Sequence, residues 1–166
     1  MIKALKPILI IFLAILLGCG GKEEKKKESI TIQKQPEAKT IVDKAENIPA
    51  SEKVDLANKG IGPITSITLS SDIDQDMAVH GAEVYKRMCT ACHRPDKKFI
   101  GPAPTGIMDR RSPEWIMNMI LNPEEMVQKD PLAKELLIEF NGSPMANQNL
   151  TEDEARAVLE YFRTLK

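Results

Sequence analysis

The sequence predicts an all-α domain over residues 72–166, preceded by a long charged tether with no fold of its own. Three observations carry this reading. Helix-start signals made of Ser, Asn or Asp followed by Pro recur through the C-terminal half, and apolar residues there return at intervals of three and four. No run alternates β-branched and polar residues as a half-buried strand does.

The elements follow in order. Asp74 is placed to cap a helix running through Met77, Ala78, Gly81, Ala82 and Tyr85 to Met88. Ser112-Pro113-Glu114 opens a second helix carrying Trp115, Ile116, Met119 and Ile120, since proline is tolerated at the first helical position. Asn122-Pro123 and Asp130-Pro131 repeat the start signal, the latter leading into Leu132, Leu136, Leu137 and Phe140. Asn141-Gly142 ends that helix. Thr151 with Glu154 forms a capping-box pattern ahead of Ala155, Val158, Leu159, Phe162 and Leu165, an apolar face at helical spacing. About ninety-five residues of short helices with few aromatics are marginal on apolar burial alone, so a large apolar cofactor inside the domain would remedy a real deficit.

Upstream, Lys3 and Lys6 precede an apolar run from Ile8 to Leu17, followed by Gly18 and Cys19. A charged start, a short apolar stretch and a small residue describe an export signal over residues 1–18, too short for a comfortable membrane span. Leu16-Leu17-Gly18-Cys19 resembles the bacterial lipobox, although Leu17 stands where a smaller or β-branched residue is commoner. The resemblance implies cleavage after Gly18 and a lipid on the Cys19 sulfur; the alternative is an uncleaved N-terminal anchor with an incidental Cys19. Both place the rest of the chain outside the cytoplasm, in the envelope of a Gram-negative-type bacterium and facing the periplasm.

Residues 19–60 are rich in Lys and Glu, almost wholly charged from Lys22 to Glu28, interrupted by Pro36 and Pro49, and without an aromatic residue. Such a stretch cannot bury enough apolar surface to offset its ordering entropy, and it is expected to be a flexible tether. About fifty residues of random coil span roughly 40 Å. Lys22-Glu23-Glu24 resembles the surface-export signals of some lipoproteins, against the plainer reading of a solvated charge run. Residues 61–71, where Ile61, Ile64, Ile67 and Leu69 sit among Gly and Pro, form either an extended arm on the domain or a linker.

Charge excludes one class of function. The 166 residues carry 23 Lys or Arg against 24 Asp or Glu, a formal net charge of -1, with no basic footprint for nucleic acid.

Cys89-Thr90-Ala91-Cys92-His93 is the C-x-x-C-H pattern of c-type haem attachment. Two thiols three positions apart at a helix end can add to the two vinyl groups of one haem, and the next residue then sets an imidazole beneath the iron. A thioredoxin-like dithiol needs a βαβ setting, and zinc needs two further ligands. The chain has neither, with His80 the only other histidine.

With that motif in place, residues 72–166 resemble the small mono-haem class I c-type cytochromes. Gly81 and Tyr85 stand where that family has a glycine and an aromatic, which implies a close crossing with the C-terminal helix and contact with Tyr161 or Phe162. Gly101-Pro102 stands where the family has a Gly-Pro pair, and the resemblance implies that the Pro102 carbonyl accepts a hydrogen bond from His93. For the sixth iron ligand it implies Met145, after Ser143-Pro144 in the loop before the last helix, with Met108 and Met126 in reserve and His80 as a bis-histidine alternative. Trp115 is expected near the haem edge or a propionate, or simply in the core, and Arg110 and Arg111 either near a propionate or on the solvated surface.

The expected function is single-electron transfer through one covalent haem c, with no small-molecule substrate and a redox protein at the membrane as partner. Residues 72–166 hold twelve Lys or Arg against sixteen Asp or Glu, a mildly acidic carrier suited to small, transient docking. The segment from Gly60 onward resembles lipoprotein cytochromes that accompany copper nitrous-oxide reductases. A terminal oxidase is the sibling partner, and a peroxidase-type enzyme or a haem sensor are the rivals from other classes.

Overall fold

A computed structural model describes residues 48–166. The expected export signal, the lipidated Cys19 and most of the tether lie outside the described residues. Five α-helices follow one another: α1 (Gln75–Met88), α2 (Pro113–Leu121), α3 (Pro123–Lys129), α4 (Pro131–Glu139) and α5 (Glu152–Thr164), with a 3-10 turn at Ile107–Asp109. Among the described residues the only β pairing is an isolated bridge between Asp55 and Arg111.

Four of the five helices begin at a side-chain cap, and α3 begins at Asn122-Pro123 without one. Asp74 accepts from the Met77 N–H at 2.9 Å, Ser112 from the Trp115 N–H at 3.1 Å, and Asp130 from the Ala133 N–H at 2.7 Å. These side chains satisfy backbone donors that a first helical turn cannot. Thr151 and Glu154 form the reciprocal capping box at α5. After α4, Asn141 and Gly142 adopt φ of 58° and 73°, and the Gly142 N–H returns to the Leu137 carbonyl at 2.8 Å.

α1 crosses α5 with almost no space between them. A Cβ on Gly81 would meet the Ala157 carbonyl oxygen at 1.9 Å, so only glycine permits this approach. One turn later Tyr85 packs on both Tyr161 and Phe162, with ring centroids 5.4 Å and 5.8 Å away. Val84, Ile116, Met117, Val158 and Leu159 complete the core. Glu160, fully buried on α5, accepts from the Asp74 N–H at 2.9 Å and pairs with Arg156 and Arg163 at 2.5 Å each. Arg163 also donates to the carbonyls of Ser70, Ser71 and Asp72, which fixes the approach to α1.

The structure moves one boundary. A tether running to residue 60 does not describe residues 50–60, which lie against the domain. Ala50 is buried, and the Ser51 N–H and hydroxyl both donate to the Glu139 carboxylate, at 2.8 and 2.6 Å. Arg111 donates to the Lys53 and Ala50 carbonyls, and Asn58 bonds to Asp130 at 2.7 Å. Residues 61–71 also contact the domain: Ile64 is buried, and Asn118 accepts from its N–H and donates to its carbonyl, both at 2.9 Å. Polar side chains of α2, of the turn before it and of α4 receive the arm's backbone groups, and Ala50 and Ile64 join the apolar core.

Candidate haem site

α1 delivers the attachment motif. The Cys89 N–H closes the helix on the Tyr85 carbonyl at 2.8 Å, and the N–H groups of Cys92 and His93 turn back to the Cys89 carbonyl at 3.1 and 2.9 Å. This tight turn brings Cys89, Cys92 and His93 to the wall of one cavity of about 1360 Å³, open solvent at its mouth included. Tyr85, Met88, Ile116, Met119, Leu136, Phe140, Val158 and Phe162 contribute to a largely apolar lining, and Met145 belongs to it too.

The His93 ring is fixed from two directions. Its Nδ1 lies 2.8 Å from the Pro102 carbonyl oxygen. That oxygen can only accept, so Nδ1 carries the proton and Nε2 is left with a free lone pair, able to ligate a metal. Gly101 presses on the ring: a Cβ there would stand 2.4 Å from His93 Cε1. The loop is itself pinned, since the Gly101 N–H donates to the Cys92 carbonyl at 2.9 Å.

Electrostatics separate this site from a redox dithiol. Burial first, and the neighbouring Cys92 second, push the Cys89 thiol up to about 11. A reactive cysteine needs the opposite shift, toward thiolate at neutral pH. Zinc fares no better, because no group of three or more His, Cys, Asp or Glu among the described residues could hold a metal ion. Burial, followed by the proximity of Cys89 and Tyr161, also holds the Tyr85 hydroxyl well above its ordinary range.

The other predicted residues divide. His80 is exposed and away from the cavity, and neither Met108 nor Met126 lines it. Met126 is fully buried, with its sulfur accepting from the Ile61 N–H at 3.0 Å. Trp115 does line the cavity, but its indole N–H is committed to Asp130 at 3.2 Å. A propionate contact through that N–H is therefore not what the arrangement offers. Arg110 and Arg111 both border the cavity, Arg110 donating to the Thr105 carbonyl at 3.1 Å. Arg111 is 3% exposed, which overturns its solvated-surface reading. Sequence reasoning passed over Met119 as a cavity residue and Ser51 as part of the rim. Met119 follows Trp115 at helical spacing, a signal that was available, whereas nothing local marks Ser51.

The residues present fit a covalent haem: two thiols at the required spacing, an imidazole with one nitrogen held and one free, and an apolar cavity whose lining includes Met88, Met119 and Met145. Fold and site together define a small helical protein built around haem c. Residues 78–166 match the family described as Cytochrome c, and the chain belongs to that family.

Among solved structures the chain is similar to a cytochrome c from Rhodothermus marinus, at 41% identity, covering 70% of this chain and 93% of that one, with a TM-score of 0.61. An engineered cytochrome c from the same organism matches at 40% identity, covering 70% and 94%, with a TM-score of 0.61. A structure of that engineered protein bound to a carbene intermediate matches over the same shares at 40% identity, with a TM-score of 0.59. No curated protein sequence matches the chain. The domain is thus a cytochrome c electron-transfer domain with covalently bound haem c, and the expected all-α class I fold is the one observed.

Proposed function

We propose that this chain is a lipid-anchored single-electron carrier of the bacterial envelope, tethered through Cys19 and facing the periplasm, with His93 and Met145 as its iron ligands. The observation that carries the reading is the cavity wall itself, where His93, oriented by Pro102, and Met145 line one apolar space. When bound, haem supplies a one-electron couple. His93 and Met145 would hold the iron from the cavity wall, and imidazole paired with a thioether would favour the reduced state of that couple. His93 is held from turning by Pro102 and Gly101, so the site reorganises little as the charge changes.

The tether supports a membrane-bound partner, because it raises the effective concentration of the haem near one. The partner proposed is a copper nitrous-oxide reductase, on the resemblance of residues 60–166 to the lipoprotein cytochromes that accompany such enzymes. The test mixes reduced holoprotein with purified reductase and follows the haem spectrum. Reoxidation on adding nitrous oxide is expected. Reoxidation only by a terminal oxidase with oxygen would move the partner to that enzyme. Labelling with radioactive palmitate in wild type but not Cys19→Ser checks the anchor.

A further inference from the structure

Among the described residues, the Tyr85 hydroxyl is the one buried side-chain oxygen or nitrogen with no hydrogen-bond partner. Leaving such a group unpaired is costly, and folded proteins do it rarely. Tyr85 is 3% exposed and its ring packs on Tyr161 and Phe162, so the oxygen is buried. A phenylalanine would make every one of those ring contacts. The oxygen therefore answers to something that the bare chain lacks.

Cys89 lies one helical turn beyond Tyr85 on the same face, and its N–H is bonded to the Tyr85 carbonyl. Both residues line the haem cavity. Attachment adds the Cys89 S–H across a haem vinyl group. A C–S bond forms, the thiol hydrogen goes to the other vinyl carbon, the double bond becomes single, and no oxidant is needed. What remains is a thioether sulfur, which has lone pairs and no hydrogen, so it can only accept. The fold already uses a thioether in this way, at Met126 beneath the Ile61 N–H.

We propose that the Tyr85 hydroxyl donates a hydrogen bond to the Cys89 thioether sulfur of the attached haem. It is a positioning residue that orients the sulfur and withdraws electron density from that edge of the ring. Withdrawal favours the more electron-rich reduced form, so the bond raises the reduction midpoint. The inference rests on Cys89 as an attachment residue.

The experiment measures midpoint potentials of the holoprotein, Tyr85→Phe and Tyr161→Phe, each with and without Cys89→Ala, in which Cys92 alone carries the haem. Tyr85→Phe is expected to lower the midpoint only where Cys89 is present, and Tyr161→Phe to leave it unchanged. An unchanged midpoint in Tyr85→Phe, or an equal fall in both backgrounds, overturns the proposal. Intact mass and the pyridine haemochrome spectrum are read first: a wild-type protein without covalent haem overturns the attachment site itself, a separate result. Should the Cys89→Ala proteins not mature, resonance Raman of the wild type replaces them. A C–S stretch that shifts in heavy water and loses that sensitivity in Tyr85→Phe is expected, and no shift in the wild type overturns the proposal.

Discussion

The Ala157 carbonyl oxygen stands 1.9 Å from where a Cβ on Gly81 would be placed. The oxygen is helix backbone and the Cβ position is fixed by helix backbone, so neither can move aside by changing rotamer. Overpacking costs about 1–3 kcal/mol in ordinary cores, and a collision between two helix backbones belongs at the top of that range. Gly81→Ala is expected to destabilise the holoprotein by about 3 kcal/mol, lowering its melting temperature by roughly 10 °C or more. Thermal unfolding followed by circular dichroism checks this.

Gly101 and His93 stand in a similar relation at the site itself. A methyl group at Gly101 forces the imidazole off its line to the Pro102 carbonyl, because the nearest ring atom is only 2.4 Å away. Losing that hydrogen bond lowers the basicity of the ligating nitrogen and weakens its preference for oxidised iron. Gly101→Ala is therefore expected to raise the reduction midpoint, as a redox titration would register, with helix content unchanged.

Glu160 links acid stability to the approach of α1. Burial works to raise its pKa, but the hydrogen bonds from Arg156 and the Asp74 N–H, with the charges of Arg156 and Arg163, outweigh burial and hold it below the ordinary carboxylate range. A carboxylate whose folded pKa is depressed contributes stability that is fully present above its unfolded value. That contribution is lost as pH falls through the folded value. Wild type should lose stability from about pH 4.5 downward, and Glu160→Gln should show a shallower slope there and lower stability at pH 7. Arg156 and Arg163 keep side-chain exposures of 21% and 12%, so the loss at pH 7 falls short of the ~3–5 kcal/mol for stranding fully buried charges. Urea unfolding at a series of pH values measures both effects.

Arg111 holds the arm. Its guanidinium serves the Ala50, Lys53 and Arg110 carbonyls from a buried position. Arg111→Ala leaves the Ala50 and Lys53 carbonyls unmatched, at about 1–3 kcal/mol, and frees the backbone around Lys53. Limited trypsin digestion should cut there promptly in the variant and slowly in wild type.

The helices were legible because their signals are local: Asp74, Ser112, Asp130 and Thr151 each act within three residues of themselves. The His93 side of the site was legible for the same reason, since Cys89, Cys92, His93 and Pro102 fall within fourteen consecutive residues. The arm was not. Residues 50–60 have the composition of a solvated segment, and their partners Arg111, Asp130 and Glu139 lie 58 to 88 positions away. Met126 illustrates the same limit. Its helical spacing suits a core filler or a reserve ligand alike, and only the fold shows that its sulfur meets the Ile61 N–H.

One absorption spectrum bears most directly on a single haem held between His93 and Met145. Oxidised wild type is expected to show the sulfur-to-iron charge-transfer band, Met119→Ala to retain it, and Met145→Ala to lose it. Persistence of the band in Met145→Ala would contradict the account.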